Sequence, residues 1–316
     1  MPNSSLPAPI RIGTRGSPLA VAQAVMTRGL LMQAHDLPLE AFEIVTISTK
    51  ADRVLDKVLK EIGGKGLFTK ELEEALLDGR IDFAVHCVKD MGVVQPKGLI
   101  SDVHLTREDP RDVFVSKTAK SLADLPEGAV LGTSSLRRKA QTLARRPDLN
   151  VVNFRGNVQA RLRKLEEGVA DATYLALAGL NRLGMTDHGW RPVEPEDMLP
   201  AIGQGALSIQ RRKNDEDTAA LIEVLNDPRT EVEMACERSF LATLEGSCET
   251  PIAGLARLEG DVLWFRGEIL RTDGTEVLTC EGRCEAEDAA DMGAELAREL
   301  LEQAAPDFFD WKRPQE

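Results

Sequence analysis

The stretch from Leu131 to Lys164 constrains the fold of this chain most strongly, because it repeats one strand–turn–helix pattern twice in succession. A short apolar run ends at Gly132, and the apolar side chains of residues 136–143 then recur at the spacing of an α-helix. A second apolar run over residues 151–154 leads through another glycine turn into a helical pattern that Gly168 ends. Two such units in a row predict the alternating strands and helices of an α/β sheet.

The same stretch gathers positive charge in a chain that is acidic overall. It has nine basic residues and one acidic residue, whereas the whole chain has a formal net charge of −13. Arg137 and Arg138 fall in a first helical turn, behind the N-cap candidates Thr133, Ser134 and Ser135. Cations placed there oppose the helix dipole unless an anion is bound, so the pattern predicts an anion site. A solvated basic face is the alternative for Arg145, Arg146, Arg163 and Lys164.

Composition excludes several classes of protein. With 316 residues, 42% of them hydrophobic and 29% charged, the chain is long enough for two or three globular domains. It shows neither a signal-peptide pattern nor an apolar run long enough to span a bilayer, so a cytoplasmic protein is expected. Five cysteines without a C-x-x-C pair argue against a disulfide framework and against a metal site. An aromatic content of 4% and the acidic balance argue against nucleic-acid binding.

Charged residues follow several of the predicted strands. Strand and helix signals alternate from Ile10 to about Gly184, which predicts an α/β fold with a mainly parallel sheet. Ligands of such sheets bind at the carboxyl ends of the strands. From about Pro228 the pattern changes to a helix, three strand-like runs and a final helix, which predicts a separate small α+β domain. The charged residues at predicted strand ends are Arg15, Lys89, Asp90, Arg137 and Arg155.

Two side chains stand out as candidates for chemistry. Asp90 follows the apolar run Phe83–Val88, where a carboxylate can act as a general acid or base or stabilise a cation; the alternative is a structural cap of the turn. Cys248 lies in a predicted loop, where a thiol can be a nucleophile or an attachment point, although an inert small residue is the simpler interpretation. His86, inside the apolar run, is expected to be a core residue.

Eight motifs occur together in the order and spacing of a known enzyme family. They are RIGTRGSPLAVAQA, GGKGLFTKELEEALLDGRIDFAVHCVKD, REDPRDVFV, LGTSSLRRKAQ, NFRGNVQARLRKLEEG, ALAGLNRLG, LPAIGQGAL and ERSFLATLEGSCETPIAG. Through them the chain resembles the porphobilinogen deaminase (hydroxymethylbilane synthase) family along nearly its whole length. The resemblance implies a transferase of haem and porphyrin biosynthesis that condenses four porphobilinogen molecules head to tail, releases ammonia, and frees the linear tetrapyrrole by hydrolysis.

The resemblance also implies a cofactor and a set of site residues. The family builds its product on a dipyrromethane primer held by a thioether to a cysteine, which corresponds to Cys248, and its catalytic carboxylate corresponds to Asp90. Acetate and propionate arms on each pyrrole account for the many arginines. The positions that match cofactor-binding residues are Lys89, Thr133, Ser134, Ser135, Arg137, Arg138 and Gly156. Those that match substrate-binding residues are Arg15, Ser17, Gln23, Lys65, Phe68, Arg155, Arg161 and Arg182. Residues 51–65 would form a lid, and Arg145, Arg146 and Arg163 match no binding position.

The family fold implied by the resemblance is α/β, with two periplasmic-binding-protein-like lobes joined by a double crossover and a small C-terminal α+β domain. The crossovers would lie near Leu105–Arg111 and Leu199–Gly205. The expected boundaries are 8–105 with 206–224 for the first lobe, 111–199 for the second and 228–316 for the domain that anchors the cofactor. The resemblance also implies a monomer.

The chain departs from the family pattern at several positions. Loss of a proline at Gly92 is expected to loosen the turn after Asp90. Two alternatives to the enzyme stay open: a non-catalytic two-lobe protein that binds carboxylate or phosphate, and a cofactor-free, inactive homologue. The departures are Cys87 for a hydroxyl residue, Gly92 for proline, Ser247 for glycine, Glu61 for a basic lid residue and Gln210 for glutamate.

Overall fold

The computed structural model describes residues 8–49, 68–186, 189–247 and 250–309, and the strands of this part of the chain form three sheets. The first sheet has the order β2-β1-β3-β9-β4. Its strands are β1 (Ile10–Arg15), β2 (Phe42–Ile47), β3 (Phe83–Cys87), β4 (Leu99–Leu105) and β9 (Leu207–Arg212). The helices that accompany it are α1 (Pro18–His35), α2 (Lys70–Leu77) and α6 (Glu216–Ile222).

The second sheet contains the stretch that repeats the strand–turn–helix pattern. Its order is β5-β8-β6-β7, and the predicted strand–turn–helix pair over residues 130–166 is confirmed in both of its units. The strands are β5 (Asp112–Ser116), β6 (Val130–Gly132), β7 (Asn150–Val152) and β8 (Ala172–Ala176). The helices are α3 (Leu136–Arg145), α4 (Val158–Glu166) and α5 (Leu177–Arg182).

Both sheets are mainly parallel, as expected, and each includes one antiparallel strand. In the first, β1 runs parallel to β2 and β3, but β9 pairs antiparallel with both β3 and β4. In the second, β6 runs parallel to β7 and β8, and β5 is antiparallel to β8. The antiparallel strands β5 and β9 are the first strands that the chain forms after it passes from one sheet to the other.

The two connections between these sheets touch each other. The chain leaves the first sheet after Leu105 and returns to it at Leu207, which confirms the double crossover. The backbone N–H of Glu108 donates to the carbonyl oxygen of Gly205 over 3.2 Å. Gly205 has φ +89°, and a Cβ added to it would lie 2.2 Å from the Glu108 carbonyl oxygen, so only glycine allows this approach.

The third sheet is antiparallel and carries two helices. Strands β10 (Ile252–Glu259), β11 (Val262–Leu270) and β12 (Val277–Glu285) pack with α7 (Pro228–Thr243) and α8 (Ala289–Gln303) around Phe240 and Phe265. The predicted α/β fold with two lobes and a C-terminal α+β unit is therefore confirmed, whereas its exact domain boundaries stay predictions. No helix in the described part of the chain is both long and apolar enough to cross a bilayer.

Candidate active site

Asp90 lies at the carboxyl end of a buried strand beside a second strand end that carries Arg15. It closes the short 3₁₀ turn Val88–Asp90 directly after β3, and Arg15 is the last residue of the parallel neighbour β1. Arg15 Nη1 is 3.8 Å from Asp90 Oδ2, and the Arg15 guanidinium stacks on the ring of Phe68 at 4.6 Å from its centroid. The Asp90 side chain keeps 30% of its surface exposed, so the carboxylate is both held and accessible.

Lys89 connects this strand end to the second crossover. Its Nζ donates to Gln204 Oε1 over 3.3 Å, and the amide of Gln204 donates in turn to Asp112 Oδ1 over 2.8 Å. Burial lowers the pKa of Lys89, while the neighbouring Asp90 opposes that shift. One short chain of hydrogen bonds thus reaches from the first sheet to the first strand of the second.

The anion beside Arg137 and Arg138 is a carboxylate of the chain itself. Asp112 Oδ2 lies 2.7 Å from Arg137 Nη2, Asp112 Oδ1 lies 2.7 Å from Arg138 Nη2, and all three side chains are buried. Burial by itself would raise the pKa of Asp112, but the two guanidinium groups hold it well below its usual range. Arg137 and Arg138 further donate to the carbonyl oxygens of Leu199 and Tyr174.

Sequence reasoning missed Asp112 and Gln204. A sequence signal existed for Asp112, because it begins the otherwise apolar strand segment Asp-Val-Phe-Val, where a buried carboxylate requires cationic partners. No comparable signal marks Gln204, whose role depends on contacts between segments that are far apart in the sequence.

Arg161 is a cation that lacks a complete set of partners. Its Nε is buried and has no hydrogen-bond partner among the described residues. Burial lowers the pKa of Arg161 to about 10, the charge of Arg138 adds to that shift, and the charge of Asp90 opposes it. Burial also lowers the pKa of Arg155 and of Arg182, and Arg182 Nη2 donates to the Gly205 carbonyl oxygen over 2.7 Å. Desolvated cations at such density suit a ligand that brings several carboxylates.

The hydroxyl residues before α3 shape the entrance to that helix. The Ser135 hydroxyl is its N-cap and accepts the N–H of Arg138, and Thr133 Oγ1 accepts the N–H of Ser135 over 3.2 Å. Ser134 donates to Asn153 Oδ1 and accepts the N–H of Phe154 over 3.0 Å. Gly156, at the corresponding turn before α4, has φ +127°.

The remaining predicted residues near Asp90 have local partners. Ser17 caps α1, and Gln23 is buried with its Nε2 3.2 Å from Cys87 Sγ. His86 is buried, as expected of a core residue, and its Nε2 lies 3.2 Å from Gln210 Oε1. Burial lowers the pKa of His86 to about 4, although its hydrogen bond to Gln210 opposes that shift.

Some sequence predictions fall elsewhere. Lys65, the lid over residues 51–65 and Cys248 lie outside the described residues. Arg146 lies at the surface, in agreement with the solvated-face interpretation, and it has local partners there: it pairs with Asp148 over 2.7 Å and donates to the carbonyl oxygens of Leu122 and Leu125. Arg163 is exposed, as expected.

Family models and known proteins match this chain over most of its length. Residues 10–220 match the model described as "Porphobilinogen deaminase, dipyromethane cofactor binding domain", and residues 232–302 match "Porphobilinogen deaminase, C-terminal domain". Porphobilinogen deaminase of Paracoccus denitrificans is 58% identical over 303 residues, which cover 96% of this chain and 97% of that protein. Porphobilinogen deaminase of Nitrobacter winogradskyi is 53% identical over 298 residues, which cover 94% of each chain.

Among solved structures, an ancestral cationic amino acid solute binding protein is similar with a TM-score of 0.43 and 15% identity, over 69% of this chain and 88% of its own. The two family models and the two relatives span both lobes and the C-terminal unit. The chain therefore belongs to the porphobilinogen deaminase family.

Proposed function

We propose that this chain is a hydroxymethylbilane synthase, which condenses four porphobilinogen molecules stepwise onto a covalent dipyrromethane primer. Each step releases ammonia, and hydrolysis then frees the linear tetrapyrrole for haem biosynthesis. The observation that carries the proposal is the part-buried Arg161, whose Nε is buried and has no partner in the described structure. A ligand with carboxylate arms supplies the missing acceptors.

The donors around this cleft fit a dipyrromethane. Asp112 and the Tyr174 carbonyl take three of the five N–H donors of Arg138, which leaves two for a ligand, and Arg137 Nε is buried without a partner among the described residues. Bound there, the cofactor would supply the pyrrole carbon to which the first unit is joined, and each later unit would join the one added before it. Its proposed contacts are Lys89, Thr133, Ser134, Ser135, Arg137, Arg138 and Gly156, with the thioether at Cys248. The proposed substrate contacts are Arg15, Ser17, Gln23, Lys65, Phe68, Arg155, Arg161 and Arg182.

In this proposal Asp90 acts on the substrate directly. Its carboxylate stabilises the positive charge that develops on the pyrrole as ammonia leaves, and it accepts and returns a proton at the pyrrole nitrogen. Arg15, 3.8 Å away, helps to orient the carboxylate. The arginines neutralise and place the acetate and propionate arms, so that the reacting carbon atoms meet in a fixed geometry.

The test is Asp90→Asn, with Asp102→Asn as a matched control outside the cleft. The first variant is expected to lose turnover of porphobilinogen while its thermal unfolding stays close to that of the parent, and the second is expected to keep its activity. Normal turnover in Asp90→Asn removes Asp90 from this role. Reversible binding of acetate or phosphate without any turnover by the parent chain supports the anion-binding alternative instead.

We further propose a cytoplasmic monomer that binds no nucleic acid. The described cysteines Cys87, Cys236, Cys280 and Cys284 are all unpaired, which suits a reducing compartment. The adjacent arginines Arg137 and Arg138 are buried against Asp112. They are therefore not exposed for contact with the phosphate backbone of a nucleic acid. Light scattering of the purified protein tests the monomer, and a second species at working concentration contradicts it.

A further inference from the structure

The carbonyl oxygen of Gly92, two residues after Asp90, accepts two side-chain hydrogen bonds. Arg238 Nη2, on α7, donates to it over 2.9 Å and to the Val93 carbonyl oxygen over 3.2 Å. Gln95 Nε2 donates to the same Gly92 oxygen over 3.2 Å. Two elements that are distant in sequence thus fasten one peptide group of the turn that follows Asp90.

Gln95 is itself fixed by a residue of the sheet. Gln210, fully buried on β9, donates from Nε2 to Gln95 Oε1 over 2.6 Å. The other end of the Gln210 amide accepts from His86 Nε2 over 3.2 Å. The series therefore runs from β3 through Gln210 and Gln95 to the Gly92 carbonyl. Because the Gln210 Nε2 donates to Gln95, its Oε1 faces His86, and this pairing requires the proton on His86 Nε2.

The start of this turn is held by Met91, which is buried and whose N–H donates to the Val88 carbonyl. Residues 92–95 make no backbone–backbone hydrogen bond within the described part of the chain. Val94 is 78% exposed and adds little packing. The side-chain bonds from Gln95 and Arg238 are therefore the main restraint on the backbone just beyond Asp90.

We propose that Gln95, Gln210 and Arg238 are positioning residues that hold the turn carrying Asp90, and so set the place of its carboxylate. The inference rests on the proposed role of Asp90. It also gives α7, which ends at Thr243, five residues before Cys248 in the sequence, a contact with the turn that follows Asp90. Glycine at position 92 does not restrict the backbone dihedral angles of the turn. The side-chain hydrogen bonds therefore supply the restraint that the sequence Met91-Gly92 does not.

The residue before Gly92 already has the conformation that a following proline requires. Met91 has φ −87° and ψ 143°, the region that a residue before proline prefers. A Cβ added to Gly92 would have its nearest neighbour, the Val94 carbonyl oxygen, at 3.6 Å. Gly92→Pro therefore offers a way to stiffen the turn without the side-chain bonds.

The experiment compares the parent enzyme with Gln95→Glu/Arg238→Met and with the same double variant that also carries Gly92→Pro. Glutamate at 95 still accepts from Gln210 but cannot donate to Gly92, and methionine at 238 keeps an apolar stem without donors. The double variant is expected to lose about tenfold or more in kcat with KM within about twofold, because a misplaced carboxylate costs rate and not substrate affinity. Gly92→Pro is expected to restore most of the lost kcat.

Arg229→Met, on the exposed side of the same helix α7, is the control and is expected to leave kcat unchanged. Unchanged kcat in the double variant, or a loss that Gly92→Pro does not reverse, overturns the positioning role. If the double variant does not fold, Gln95→Glu is compared with and without Gly92→Pro. The same two quantities are measured, the loss of kcat and its recovery on Gly92→Pro. Asp90→Asn is assayed in parallel: its full activity would overturn the proposed function, whereas its inactivity beside an unaffected double variant overturns only this inference.

Discussion

Asp112 and Arg138 form a buried ion pair with two parallel hydrogen bonds. Arg138 Nη2 lies 2.7 Å from Asp112 Oδ1, and Arg138 Nε lies 3.2 Å from Asp112 Oδ2. Gln204 adds a donor to the same carboxylate and is joined to Lys89, beside Asp90. The carboxylate therefore sets the orientation of the arginines on α3 and connects them to the strand end that carries the candidate catalytic group.

Asp112→Asn is expected to destabilise the protein by about 3–5 kcal/mol, because it leaves two buried guanidinium groups without their counter-charge. Chemical denaturation measures the change. Asp148→Asn is the matched control, since Asp148 pairs with Arg146 at the surface, where ion pairs contribute little to stability. Equal stability of the two variants would contradict the view that Asp112 organises the arginine cluster.

Arg161→Met is expected to weaken substrate binding without weakening the fold. A hydrogen bond to a charged group contributes about 1.5–3 kcal/mol, so KM for porphobilinogen should rise about ten- to a hundredfold. The melting temperature should stay the same or rise, because the variant removes a desolvated cation whose Nε has no partner in the described structure. Arg163→Met, exposed on the same helix, should change neither quantity. A large loss of stability in Arg161→Met would instead indicate a structural arginine.

The buried histidines His86 and His104 predict that stability falls as the pH drops below about 6.5. Burial lowers the pKa of each to about 4, with a smaller contribution from Arg15 for His86 and from Arg238 for His104. In the unfolded chain histidine binds a proton near pH 6.5, whereas the folded state stays neutral until about pH 4. The free energy of unfolding is thus highest above 6.5 and declines towards pH 4.

Each histidine contributes a slope of up to about 1.4 kcal/mol per pH unit in that window. Denaturation curves at pH 7.0, 6.2 and 5.5, above the range in which ordinary carboxylates titrate, measure this slope. His104→Gln removes one titrating group, so the variant should show about half the slope of the parent. Identical slopes would show that His104 does not resist protonation in the folded protein.

Gly274, in the turn between β11 and β12, lies against the helix that carries Arg137 and Arg138. It has φ +77°, and a Cβ added there would lie 2.4 Å from Ala144 N and 2.7 Å from the Ala140 carbonyl oxygen. Gly274→Ala is therefore expected to cost about 3 kcal/mol from strain and displacement together. Gly260→Ala, at φ +64° with no atom within 4 Å of the new Cβ, should cost about 1 kcal/mol. If the two variants lost similar amounts of unfolding free energy, the turn would be able to accommodate the new Cβ without displacing α3.

The local elements were predictable because their signals are local. The N-cap and proline at Ser17-Pro18 and the apolar spacing after Gly132 mark helices that form where expected. Strand direction is a different matter, since a run such as β9 has the same sequence character whether its neighbours are parallel or antiparallel. That is why the sequence predicted the mainly parallel sheets but not the one antiparallel strand in each, β9 and β5.

The site shows the same division between local and distant information. Strand ends placed Arg15 and Asp90 near one another, because carboxyl ends of parallel strands meet at one edge. The partners that orient the charged groups come from far along the chain: Asp112 for Arg138, Gln204 for Lys89 and Arg238 for the Gly92 carbonyl. Contacts between residues so far apart produce no recurring pattern in the sequence, so they can be identified only in the folded structure.

We propose that this chain builds its product on a dipyrromethane attached to Cys248. Mass spectrometry of the intact, denatured protein tests it most directly. We expect the purified parent to exceed the polypeptide mass by two linked pyrrole units, and Cys248→Ser to show the polypeptide mass alone with no turnover. An active parent that has only the bare polypeptide mass, or an excess that persists in Cys248→Ser, would contradict the account.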